Sequence, residues 1–349
     1  MTIKTILLIF GGESSEHDVS LASARNVYAA IDGNKYDVKL CYIDQNGKWW
    51  LVDKWPNEPS EHGGVQLLIA PGAKSFVTMP GSDVVRPDVV LPILHGKNGE
   101  DGTIQGVFEL MHLPYVGCDV LSSALCMDKV RLKNLLRGAA PSIRVTPDII
   151  FTKSDDYQNA IRSQTAITDK LGDGPWFVKP SRAGSSVGVT KVYQLDVMIT
   201  AIENALKHDD TALVERAIKG RELEVAILGT PPHHKASGVG EIVPGADFYD
   251  YDDKYGDSSA SWVIIDAKLS QELKDTIREH ACTAYQVAGC SGLARVDFLL
   301  DEDGNPYLNE INTLPGFTNI SMYPKLWRQQ GMHYPELIEA LIDDALKNR

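Results

Sequence analysis

Two stretches toward the C-terminal end constrain the fold more than any other part of the chain. GLARVDFLL and PYLNEIN are separated by DEDGN, and Asp303-Gly304 is a strong two-residue hairpin turn. With that turn, Asp297 faces Glu310 and Arg295 faces Asn312. Residues two apart share a face of a strand, so all four side chains lie on one side. The apolar Val296, Phe298, Leu308 and Ile311 between them look buried. Two carboxylates directly opposite each other destabilise a hairpin. A divalent cation between them removes the conflict. Asp, Glu and Asn supply the hard oxygen donors that Mg²⁺ takes when nucleotide phosphates complete its shell. The alternative is a solvated sheet face, and Leu299 on the same face tells against full exposure.

Other segments suit a phosphorylated ligand. Lys179 ends the apolar strand WFVKP, and the loop SRAGSSVG follows. Such a loop presents backbone N–H groups to phosphate oxygens, and the lysine adds a point charge. An ordinary hairpin is the alternative. Glu215 ends ALVER, and Glu222 follows in GRELEV. A carboxylate at a strand end can accept hydrogen bonds from an adenine amino group or from ribose hydroxyls. Each could equally be a surface glutamate. Residues 244–261 form a long polar stretch holding FYDYDDKY. Long loops are functional or disordered more often than not. Its tyrosines let it pack as a lid, with Lys254 closing on a terminal phosphate and Tyr255 on a substrate; a plain excursion is the other reading.

The N-terminal third alternates strand and helix. KTILLIF, YDVKLCYI and DVVLPIL read as buried strands. Ala24, Val27, Tyr28 and Ile31 fall on one helical face, as do Ile104, Val107, Phe108 and Met111. That alternation indicates a small parallel α/β domain. Its strand ends carry Glu16 and, after DVVLPIL, His95, Glu100 and Asp101. The carboxyl ends of parallel strands are where such sheets place ligands, and a carboxylate there can hold an ammonium group. His95 is also readable as a structural histidine.

Composition narrows the partners. Lys and Arg total 34 against 47 Asp and Glu, a net charge of −13. Such an acidic body is a poor general binder of nucleic acid or anionic membrane. No apolar run approaches a membrane span, and KTILLIF reads as a core strand rather than a leader. The five widely spaced cysteines form no CxxC pair, which suits buried thiols in a reducing cytosol. Neither a Walker A sequence, a GxGxxG after the first strand nor a GxSxG elbow is present.

Taken in order, GGESSEHDVS, HGKNGEDG, MDK, VKPSRAGSSVG, FYDYDDKY, ARVDF and NEINTLPGFTNIS resemble the D-alanine–D-alanine ligases of the ATP-grasp superfamily over essentially the whole chain. The resemblance implies an α/β and α+β fold of three domains. A parallel α/β substrate domain would span 1–120, a central subdomain 121–214 and a catalytic domain 215–349, with 244–261 as the closing loop. The latter two carry antiparallel sheets that enclose ATP. By that likeness Lys129 and Lys179 contact the nucleotide phosphates, Glu215 the adenine and Glu222 the ribose. Asp297, Glu310 and Asn312 look like a site for two Mg²⁺, with Mn²⁺ as an alternative ion. Glu16 would hold the ammonium of the first D-alanine, and Ser321 the carboxylate of the second. Lys254 and Tyr255 look like the closing pair, with Ser185 hydrogen-bonded to Tyr255 and Glu16. Arg295 and the Gly316 N–H look like the oxyanion site. His95 and the Ser185–Tyr255–Glu16 network are candidates for deprotonating the incoming ammonium.

Three departures stand out: Ala183 where the family usually has a charged side chain, Arg216 for the commoner Lys, and Asp18 for the usual Glu. The implied activity is ATP-driven ligation of two D-alanines through an acyl phosphate, for peptidoglycan precursors, by a cytoplasmic homodimer. D-Serine or D-lactate as second substrate, and a non-catalytic nucleotide-binding module, are the alternatives.

Overall fold

The computed structural model describes residues 3–55, 63–154, 165–243 and 262–348. The loop 244–261, with Lys254 and Tyr255, lies outside the described residues.

Three sheets organise the chain. The first holds β1 (Lys4–Gly11), β2 (Tyr36–Ile43), β3 (Trp49–Val52), β4 (Val65–Ala70), β5 (Ser75–Met79), β6 (Val84–Val85) and β7 (Val89–Ile93), in the order β6-β5-β4-β3-β2-β1-β7. Only β2, β1 and β7 run parallel; β3 to β6 continue as an antiparallel meander. The sheet is therefore mixed rather than parallel. Strands β1 and β7 are apolar and buried on both faces, whereas β4 buries Leu67 alone and leaves Leu68 and Ile69 exposed.

Helix α1 (His17–Ala30) follows β1 and turns Ala24 and Val27 into the core. Tyr28 of the expected apolar face is exposed instead, and the helix ends before Ile31. Helix α2 (Thr103–Leu110) buries Ile104 and Phe108 as its spacing predicts.

Helices α3 (Val120–Met127) and α4 (Lys129–Ala139) are two elements that meet at Asp128. Asp128 breaks them: it leaves helical geometry, and its side chain accepts from the Arg131 N–H as the N-cap of α4. A short β8 (Arg144–Val145) leads to β9 (Asp148–Thr152), and α5 (Thr165–Leu171) follows. With β10 (Trp176–Pro180), β11 (Thr190–Val192), α6 (Met198–Ala205) and β12 (Thr211–Arg216), the second sheet runs β11-β10-β12-β9, all antiparallel.

The third sheet comprises β13 (Gly220–Leu228), β14 (Lys235–Val243), β15 (Trp262–Ile264), β16 (Leu293–Asp301) and β17 (Pro306–Asn312), with α7 (Gln271–Val287) packed on it. Its order is β15-β14-β13-β16-β17-β8, antiparallel except at β8. Helices α8 (Met322–Gln329) and α9 (Tyr334–Asn348) close the chain.

The expected cuts at 120/121 and 214/215 do not follow these sheets. Leu132, Leu136 and Ile143 need apolar cover and find it on Leu223 and Val296, so α4 and β8 belong to the third sheet's core. The second cut falls inside β12, whose pairing with β10 continues to Arg216. Helices α8 and α9 bury Leu326, Trp327, Leu337 and Leu341 in one cluster with Ile6, Leu8 and Val89 of the first sheet.

Candidate active site

The hairpin β16–β17 puts Asp297 opposite Glu310 and Arg295 opposite Asn312. The route to that register differs from the expected one. Asp301 and Asn305 bracket a three-residue loop, Glu302-Asp303-Gly304, with Gly304 at φ +80°. Left alone, that loop would misalign the strands by one residue. A bulge at Asn309 corrects it, and it places Asn309 and Glu310 together on the cleft side. A third carboxylate, Glu224 of β13, lies directly across from Asp297. Three adjacent strands thus present Glu224, Asp297 and Glu310 in a row.

Cations separate these carboxylates. Arg295 donates from Nε and Nη2 to the two oxygens of Asp297 at 2.7 and 2.6 Å, and its Nε lies 3.2 Å from Glu224. Burial works against the Arg295 charge, but Asp297 and Glu224 outweigh it and hold its proton far more tightly than usual. Lys129 Nζ lies 3.4 Å from Glu310 and donates to the Ala183 carbonyl at 2.8 Å. Among the described residues no three His, Cys, Asp or Glu side chains converge as a metal cage. Two carboxylates opposite one another, with the Asn312 amide beside them, still make an oxygen donor set that fits Mg²⁺ completed by phosphate oxygens.

Lys179 sits at the end of β10, behind this wall. It donates to Asn309 Oδ1 at 3.4 Å and pairs with Glu215. Glu215 is buried, and Lys133 and Thr146 also hold it. Burial alone would raise its pKa, but Lys179 and Lys133 bring it down to about 2. Both oxygens of Glu215 therefore have protein partners in this structure. The glycine loop after Lys179 turns through Ser185 and Ser186 at φ +49° and +60°. Non-glycine residues there mark a backbone over-determined by its surroundings. Arg182 anchors the loop's start on Asp209, through its N–H at 2.8 Å and Nε at 3.0 Å.

Glu16 stands at the start of α1, buried at the carboxyl end of β1. Ser185 donates to its Oε1 at 2.5 Å, joining the glycine loop to the first sheet. Gly96 lies so close that an added Cβ would meet Glu16 Oε2 at 2.6 Å. A Cβ at Gly316 would likewise meet the Ser321 hydroxyl at 2.8 Å. Ser321 accepts from the Thr318 N–H at 3.0 Å.

His95 is buried, with Nδ1 3.1 Å from the Leu314 carbonyl and Nε2 3.1 Å from the Ser23 hydroxyl. Both ring nitrogens are engaged within the protein, which tells against His95 as a free base. Burial pushes its pKa down, but Glu100, 3.8 Å from Nδ1, and Glu16 outweigh it and hold the group above its ordinary value.

One cleft is lined by Glu16, His95, Lys129, Ser185, Glu222, Arg295, Asp297, Glu310, Asn312, Gly316 and Ser321. Glu215 and Lys179 flank it through Asn309. Sequence reasoning missed Glu224, Asn309 and the Lys133–Glu215 pair. Glu224 had a signal, since it lies two residues after Glu222 and so shares its strand face. The bulge that exposes Asn309 had one too, in the three-residue spacing of the apolar Leu308 and Ile311.

Two antiparallel sheets that meet a cleft of lysines and strand-borne carboxylates define an ATP-grasp enzyme. Two family models match the chain: D-ala D-ala ligase N-terminus over residues 5–118, and D-ala D-ala ligase C-terminus over residues 139–343. The chain belongs to the D-alanine–D-alanine ligase family. It is 43% identical to D-alanine–D-alanine ligase A of Escherichia coli K12, covering 97% of this chain and 95% of that protein. It is 43% identical to the D-alanine–D-alanine ligase of Thermoanaerobacter sp. X514, covering 100% of this chain and 98% of that protein. The VanG D-Ala:D-Ser ligase from Enterococcus faecalis superposes with a TM-score of 0.87 at 36% identity, over 99% of this chain and 100% of that one. The D-alanine–D-alanine ligase from Coxiella burnetii gives 0.86 at 34%, over 99% and 95%.

Proposed function

We propose that the chain joins two D-alanines to D-alanyl-D-alanine at the expense of ATP, in the cytoplasm, for peptidoglycan precursor synthesis. The observation that carries this reading is the row of strand-borne carboxylates, set between Lys129 and Arg295 in the cleft that also holds Glu16, Gly316 and Ser321.

A carboxylate is a poor electrophile. Its oxygen attacks the γ-phosphorus of ATP, ADP leaves, and the product is an acyl phosphate. Lys129 and Lys179 neutralise the phosphates, and Glu222 takes the ribose. Glu215 keeps Oε1 on Lys133 and Thr146 and turns Oε2 from Lys179 to the adenine amino group. Asp297, Glu310 and Asn312 are the residues to hold two Mg²⁺, or Mn²⁺, which when bound offset charge on the transferring phosphoryl group. Glu16 holds the first D-alanine by its ammonium, and Ser185 fixes the Glu16 carboxylate. Ser321 takes the carboxylate of the second. Its amine, once deprotonated, attacks the acyl carbon, and inorganic phosphate leaves with one carboxyl oxygen. Arg295 and the Gly316 N–H stabilise the tetrahedral oxyanion. Lys254 and Tyr255, outside the described residues, complete the proposal as the pair that keeps water from the acyl phosphate.

D-Serine as second substrate is the competing reading, favoured by the likeness to VanG. Incubation with ATP, Mg²⁺ and a panel of D-amino and D-hydroxy acids separates them by mass spectrometry. D-Alanyl-D-alanine as the main product supports the proposal; a D-alanyl-D-serine product, or none, contradicts it. The homodimer is part of the same proposal and is read by light scattering.

A further inference from the structure

The Gly316 N–H can stabilise an oxyanion only if the peptide between Pro315 and Gly316 keeps its orientation. The peptides on either side of it are both tied down. On one side, the Leu314 carbonyl accepts from His95 Nδ1 at 3.1 Å. A carbonyl only accepts, so Nδ1 carries the hydrogen, and in the neutral ring Nε2 is an acceptor. The Ser23 hydroxyl lies 3.1 Å from Nε2, donating to it when the ring is neutral and accepting from it when the ring is charged. On the other side, the Phe317 N–H donates to the same Ser23 oxygen at 3.2 Å. Asn26, one turn further along α1, donates to the Phe317 carbonyl at 3.3 Å, and the Tyr334 hydroxyl donates to it at 2.8 Å. Ser23 is fully buried, so these bonds work without competition from water.

Resting on the ligase reading above, we propose that α1 sets the oxyanion donor, with Ser23 and Asn26 as positioning residues for the Gly316 N–H. The two lie three apart and so share a helical face. Glu16 begins the same helix. One rigid element therefore holds the ammonium of the first substrate at its start and, two turns on, the loop that meets that substrate's carbonyl. The proposal gives His95 a positioning duty too, as the link between Ser23 and Leu314.

The test uses the full chain with Ser23→Ala, Ser23→Thr and Asn26→Ala. Ser23→Ala should lower kcat by roughly ten- to a hundredfold, the scale of a small misplacement of reacting groups, with KM for ATP unchanged. Amide exchange at Phe317 should accelerate in the same variant. Ser23→Thr, which keeps the hydroxyl, should recover both, and Asn26→Ala should lower kcat in the same direction. A Ser23→Ala enzyme with kcat within about twofold of the parent would overturn the proposal, since misplacing the donor costs far more. So would a loss of kcat shared with ATP affinity that threonine repairs no better than alanine. Amide exchange does not depend on turnover. A parent enzyme that releases no phosphate in response to D-alanine would thus sink the ligase reading alone, while the clamp is judged on Phe317.

Discussion

Asp297 is held by two nitrogens of one arginine, and Glu310 by Lys129. Removing Asp297 leaves Arg295 to Glu224, removing Glu310 takes the carboxylate beside Lys129, and either change takes an anionic donor from the proposed metal site. Asp297→Asn and Glu310→Gln should each lower kcat by roughly a hundredfold or more, read as Mg²⁺-dependent phosphate release, with folding intact by circular dichroism. Full activity in either would refute the metal assignment. Deeper in the wall, Lys133 serves Glu215 and Asp148 from a buried position. Lys133→Met takes one cation from two buried carboxylates, leaving Glu215 to Lys179 and Asp148 to Arg137, and should cost about 1–3 kcal/mol in urea unfolding. Glu215 also sets a pH dependence. Its folded pKa of about 2 lies below the ordinary 4.5. Its contribution is therefore complete above pH 4.5 and is lost as pH falls toward 2. Replacing it with glutamine should flatten the acid limb of stability in that window; an unchanged limb would show that other groups govern it.

Among the elements, the hairpin shows what a sequence can and cannot reveal. Asp303-Gly304 announces the turn, and the alternation of Val296, Asp297 and Phe298 fixes the faces. The extra loop residue is invisible, but the bulge leaves a trace, because Leu308 and Ile311 are both buried with Asn309 and Glu310 between them, a spacing that strict alternation does not give. Deleting Glu302 should leave Asp303-Gly304 as a two-residue turn across the same Asp301–Asn305 pair, with register and turnover within about twofold of the parent. A collapse of Mg²⁺-dependent activity in a folded variant would show that the loop length itself sets the register. Helix α1 teaches the same lesson on its polar side. Ala24 and Val27 are readable by spacing, while Ser23 and Asn26 carry no pattern, since their partners lie nearly three hundred residues away. The strands β3 to β6 escaped notice for a different reason: they are two to six residues long, and β4 and β6 leave apolar side chains exposed, so their apolar signal is weak.

Across the whole molecule, the net charge of −13 and the local gathering of lysines describe the same strategy. The surface repels polyanions at large, while Lys129 and Lys179 converge where a triphosphate would be held. The first sheet shares a hydrophobic cluster with α8, α9 and residues of the third sheet such as Ala226 and Leu293. Helix α1, which Glu16 begins, and the loop of Leu314 and Phe317 are thereby parts of one packed body. Domain cuts read from the sequence follow chain order, whereas burial joins the two ends of the chain. The central claim is that the cleft energises a carboxylate by phosphorylating it. Supplying D-alanine labelled with ¹⁸O in its carboxyl group, together with ATP and Mg²⁺, tests this most directly by mass spectrometry of the released phosphate. One labelled oxygen in phosphate for each dipeptide formed is the predicted result. Dipeptide accompanied by unlabelled phosphate would contradict it.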